Sequence, residues 1–144
     1  MYGYREIALL DLEDATFSFE HKRYRSSAFF YHQSAENSAK ALLEKKYPQH
    51  EQLKSHAVHK ILEAYDEVHM TSDLGDKGRY LNDFCFINFH PNDTYVVVSE
   101  SQVRKAKNFA EDLEIYFKQE LEILASLSSN ITLDIESLPP LNLT

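Results

Sequence analysis

His32, Glu36 and Lys40 recur at steps of four, which on a helix sets an imidazole, a carboxylate and an ammonium in one row. A proton carrier, an acceptor and a cation in line could bind and polarise an anionic ligand. Arg25 lies seven residues before His32, nearly two helical turns or about 10.5 Å along the axis, so its long side chain could converge with the row on one phosphate. Arg25, His32, Glu36 and Lys40 are therefore the candidate ligand-binding set. Ordinary i, i+4 pairing, about 0.2–0.5 kcal/mol per exposed pair, would explain the row equally well. His56 and His59, with Glu63 a turn further on, have metal-ligand types. Two histidines at i, i+3 can share an ion, but no third ligand is identifiable, and no metal site is assigned. Gly75-Asp76-Lys77-Gly78 lacks the spacing and the preceding strand of a phosphate loop. Cys85, in the apolar run Phe84-Cys85-Phe86-Ile87, reads as a buried thiol.

Five helical segments must carry these groups. Ile7, Leu10, Asp14 and Phe17 mark one stripe, widened by Ala8, Leu12, Ala15 and Phe19, so about Tyr4 to Glu20 is read as helical. The second helix runs from about Arg23 to Lys46, stopping before Pro48. Its apolar face, Ala28, His32, Ala35, Ala39 and Leu42, is mostly small and allows another helix to approach closely. Ser55 is the expected N-cap of the third, with Val58, Ile61, Leu62, Tyr65 and Val68 inward. A fourth starts at Ser72 or Asp73, its first turns weakened by Gly75 and Gly78. In the fifth, Ser99 and Gln102 form a capping box ahead of Val103, Ala106, Ala110, Leu113, Phe117 and Leu124. Thr94 to Val98 is β-branched, but one strand has nothing to pair with in a helical fold and reads as an extended connection.

The chain has 144 residues, the size of one domain, with no composition break before Leu127. An all-α, single antiparallel bundle over residues 1–127 is expected, followed by an extended or flexible tail at 128–144. The formal net charge of −8 argues against broad nucleic-acid binding, which depends on neutralising phosphates. His21-Lys22-Arg23-Tyr24-Arg25 is the densest basic cluster, and it reads first as a solvated corner between helices. No apolar run is long enough to span a bilayer, no signal peptide is recognisable, and the single cysteine fits a reducing compartment, so a cytoplasmic protein without membrane contact is expected.

The run from Phe30 to Leu43, FYHQSAENSAKALL, resembles the Q-Q-A-x-E-K-A-x-K-A signature of HEPN domains, small helical proteins named for nucleotide binding. Gln33, Glu36, Lys40 and Ala41 agree, while His32 stands where a Gln is common. Leu9-x2-Leu12-x2-Ala15 is similar to the opening of the family's first helix, and His56 before Val58, Ile61 and Leu62 to its H-x-L-x-x-L. Phe89-His90-Pro91 falls where many members have Arg-Tyr-Pro. The likeness covers about Glu6 to Phe117.

The resemblance implies a homodimer that binds a nucleotide, needs no cofactor, and associates with a minimal nucleotidyltransferase in a toxin–antitoxin or two-component transferase arrangement. In members that are ribonucleases, an Arg followed four to six residues later by a His supplies proton transfer and stabilises phosphorane charge. Here Phe86, Cys85, Phe84 and Asp83 stand four to seven positions before His90, and the closest preceding Arg is Arg79. A binding module without strong catalysis is the leading expectation. The alternative is a metal-independent ribonuclease joining His90 with Arg79 or Arg25 across a dimer.

Overall fold

A computed structural model describes residues 3–66, 71–86 and 98–137, with backbone alone for 85–86 and 128–137. The described helices are α1 (Tyr4–Glu20), α2 (Tyr24–Lys46), α3 (Val58–Tyr65), α4 (Ser72–Tyr80) and α5 (Glu100–Ser137). A 3-10 turn at Glu51–Lys54 precedes α3, and a π-helical turn at Leu81–Phe86 continues α4. The chain is thus an all-α bundle. His90, Phe89, Val68 and Thr94 to Val97 lie outside the described residues.

α1 and α2 form an antiparallel hairpin. Its turn satisfies the end of α1 by a Schellman arrangement: Lys22 N–H donates to Phe19 O at 3.0 Å and Arg23 N–H to Ser18 O at 2.8 Å. Lys22 takes the left-handed conformation, φ 59°, that the motif requires. Along the hairpin, Ser27 Oγ donates to Ala15 O and Ser34 Oγ to Ala8 O, each at 2.8 Å. Side chains this short reach a neighbouring backbone only where the helices nearly touch. Ala8 and Ala15 are buried beneath them. Arg5 then ties α1 to α5 through a two-pronged bond to Glu114, Nη1 to Oε2 at 2.8 Å.

α2 is the central helix, contacting α1, α3, α5 and the π turn. Burial reaches most of the way round it, including Ser27, Ser34 and Ser38 as well as Tyr31, Leu42 and Leu43. That explains its Ser and Ala content, since large side chains on every face would hold its neighbours apart. The core combines Tyr31, Leu42 and Leu43 with Val58, Ile61 and Leu62 of α3, Leu81, and Val103, Leu113 and Phe117 of α5.

The elements after α2 depart from the sequence reading in three places. Ser55 does not cap α3; its N–H closes the 3-10 turn on Gln52 O, and its Oγ accepts from Ala57 N–H at 3.0 Å, leaving Ala57 as N-cap. Gly78 marks close packing rather than a weak turn. A Cβ there would lie 3.2 Å from His59 N and 3.3 Å from Val58 Cγ1, so its bare Cα lets α4 press on the start of α3. Finally, α5 continues to Ser137, where the alternation of Ile131, Leu133 and Ile135 suggested an extended tail. No Gly or Pro interrupts the chain between Ser99 and Pro139, and alternation without a partner strand gives no reason to leave the helix. The capping box at its start forms as expected: Gln102 N–H donates to Ser99 Oγ at 3.3 Å, and Ser99 N–H to Gln102 Oε1 at 3.1 Å.

Candidate functional site

The polar row of α2 stays together, but it points inward. His32, Glu36 and Lys40 are 0%, 3% and 7% exposed, because α3 and the π turn pack on that side of α2. These three groups are therefore engaged within the fold and do not form an open ligand-binding surface. Arg25 is exposed in the first turn of α2, about two turns from the buried His32.

All three buried groups act on the approach to α3. Lys40 Nζ donates to Glu36 Oε2 at 3.2 Å, and the other oxygen, Oε1, meets His56 Nδ1 at 3.0 Å. A carboxylate only accepts, so Nδ1 of His56 carries the proton in that bond. His32 Nε2 lies 3.0 Å from the His56 carbonyl oxygen, which fixes Nε2 as the protonated nitrogen of His32. Burial pushes the pKa of His32 below the ordinary histidine value, opposed by Glu36 and by the bond to His56. Asn82 of the π turn also interacts with the His32 ring.

Backbone and ring of His56 are thus held from two sides by α2. The imidazole itself is 59% exposed, whereas the Glu36 side chain beneath it is 5% exposed. A buried carboxylate bonded to Nδ1 fixes the ring's orientation and tautomer, as second-sphere carboxylates do for functional histidines. Lys54 and Lys60 flank it in sequence and are exposed. The spacing that singled out His32, Glu36 and Lys40 gave no hint of this pairing, which spans 20 residues from Glu36 to His56.

The second candidate group divides. Arg79 is held by Asp76, Nη1 to Oδ1 at 3.2 Å, and faces Glu63 at 3.7 Å. It stands close enough to His59 to lower that ring's pKa, after the larger effect of burial. His59 Nδ1 is buried without a hydrogen-bond partner among the described residues. His90, the other half of the proposed ribonuclease pair, lies outside the described residues. Among the described residues no group of three or more His, Cys, Asp or Glu is arranged to hold a metal ion, and no helix is long and apolar enough to cross a membrane.

Comparison with known proteins agrees with this architecture. The crystal structure of ST0689, an archaeal HEPN homologue, superposes with a TM-score of 0.66 at 18% identity, covering 83% of this chain and 98% of that one. No match was found among curated proteins. The family model of the HEPN domain matches residues 1–119, which takes in α1 to α4 and the first half of α5. With that match over most of its length, and with the helical order and the α2 signature in place, the chain belongs to the HEPN domain family.

Proposed function

We propose that this chain is a HEPN binding module that presents His56 to the phosphate of a nucleotide. The observation that carries this reading is the Glu36–His56 contact, which uses a buried carboxylate to fix an exposed imidazole at 3.0 Å. A ring held in one orientation loses little freedom on binding, and Lys54 and Lys60 add positive charge nearby. Association with a small nucleotidyltransferase, as the family resemblance implies, completes the proposal. Strong catalysis is not part of it: Arg79 is taken up by Asp76 and Glu63, and no Arg stands four to six residues before His90.

The test is isothermal titration of the full chain with AMP, ATP and GTP, repeated with His56→Ala. Binding that weakens at least tenfold in the variant supports the reading. Equal affinity in both proteins, or no binding and no rise in melting temperature with any nucleotide, overturns it. Cleavage of an RNA oligonucleotide by the wild type, abolished by His90→Ala, would favour the ribonuclease alternative. Co-expression with a nucleotidyltransferase encoded beside the chain, followed by co-purification, tests the partner.

A further inference from the structure

α1 is packed inside out relative to the usual preference of side chains. Its buried positions are Ala8, Ala15 and Ser18, while Ile7, Leu9, Leu10 and Phe17 remain 37%, 42%, 47% and 59% exposed. Large apolar groups normally fill a core, and a contiguous exposed set of them marks an interaction surface. The close α1–α2 contact admits only small residues along its line, with Leu12 and Phe19 half-buried against the core beside it, and leaves Ile7, Leu9, Leu10 and Phe17 outward.

The other exposed positions of α1 are all acidic: Glu6, Glu13, Asp14 and Glu20. Their placement is regular. Leu10 and Phe17 are seven residues apart and share a line on the helix, and Glu6, Glu13 and Glu20, also seven apart, form a parallel rail beside them. Arg5, the one cation of α1, is engaged by Glu114 and Ser38 and does not offset the rail. Two apolar anchors with a one-sided rail of like charge is the pattern by which paired helices select partners.

We infer that this face of α1 docks a helix from a different protein, one whose apolar ridge at heptad spacing is flanked by lysines or arginines. A second copy of this chain is the wrong occupant. Two α1 helices related by an antiparallel two-fold would set Glu6, Glu13 and Glu20 against their own equivalents, and the chain's net charge of −8 adds to the repulsion. A membrane surface of anionic lipid is excluded by the same acids. The inference does not depend on what His56 binds.

Two synthetic three-heptad peptides test it, with identical leucine ridges flanked either by lysines or by glutamates. Fluorescence anisotropy with the full chain should give a dissociation constant at least tenfold lower for the lysine peptide, weakening further when salt is raised from 50 to 300 mM. Leu10→Ser with Phe17→Ser, both exposed positions that leave the core intact, should reduce binding at least tenfold without changing the circular dichroism melt. Glu6→Lys, Glu13→Lys and Glu20→Lys together should reverse the preference toward the glutamate peptide. Binding of neither peptide, equal binding of both, or insensitivity to the Leu10/Phe17 pair overturns the inference. So does light scattering that shows a dimer converted to monomer by that pair, which would make a second copy the occupant.

Discussion

Replacing Glu36 by Gln should be among the most damaging single-atom changes in this protein. The Glu36 and Lys40 side chains are 5% and 9% exposed, and their ion pair closes at 3.2 Å. In Glu36→Gln the ammonium of Lys40 remains in the interior without a counter-charge, and breaking a buried pair from one side costs about 3–5 kcal/mol. The expected loss is therefore about 3–5 kcal/mol.

The reverse change is milder. Lys40→Met leaves Glu36 bonded to His56 at 3.0 Å, so the carboxylate keeps a donor and the loss should be about 1–3 kcal/mol. The double variant removes both charges and should cost at least about 1.5 kcal/mol less than the sum of the single changes. Urea unfolding followed by circular dichroism at pH 7 measures all four proteins on one scale, provided the denaturant slope is shared. A cost below about 1 kcal/mol for Glu36→Gln, or additivity within about 0.5 kcal/mol, would refute the claim that these groups act as one buried unit.

Other outcomes can be stated briefly. Because the native pKa of His32 is lowered, the unfolded chain takes up its proton first. The stability this ring confers is full above about pH 6.5 and falls as pH drops toward its native value, by at most about 1.4 kcal/mol per pH unit. His32→Gln should flatten the fall in melting temperature between pH 7 and pH 5, with His59, also lowered, leaving a residual slope. Gly78→Ala should destabilise by about 1–3 kcal/mol, because its Cβ meets the backbone of His59 at 3.2 Å. Gly75→Ala, whose Cβ would meet only Arg79 Nη1 at 3.8 Å, should instead stabilise by about 0.5–1 kcal/mol in a thermal melt. Lys22→Gly relieves the left-handed backbone of the α1–α2 turn and should raise stability by about 1 kcal/mol.

Periodicity alone reaches the bounds of α1, nearly those of α2, and the capped start of α5, because each depends on contacts three or four residues apart. The π turn at Leu81–Phe86 was not legible, since one extra residue per turn leaves no mark in composition. The continuation of α5 past Ser128 was hidden by chance alternation at Ile131, Leu133 and Ile135. In the site, spacing alone puts His32, Glu36 and Lys40 on one side of a helix. Which way it faced depends on α2 being surrounded, and that is decided by helices far away in sequence. The same holds for Glu36 and His56: they lie 20 residues apart, and only the packing of α3 against α2 makes them a pair.

The hydroxyl contacts from Ser27 and Ser34 to the Ala15 and Ala8 carbonyls have a consequence for how this hairpin can vary. The acceptors are backbone atoms, so the chemistry of residues 8 and 15 is immaterial to the bonds, whereas their size is not. Among relatives, positions 8, 15, 27 and 34 should remain small as a set, with Ala, Ser and Gly exchanging freely at 8 and 15 and a hydroxyl favoured at 27 and 34. One bulky residue at any of them should prise the hairpin apart and loosen the other three constraints together, so that drift at these four sites is correlated while their neighbours vary alone.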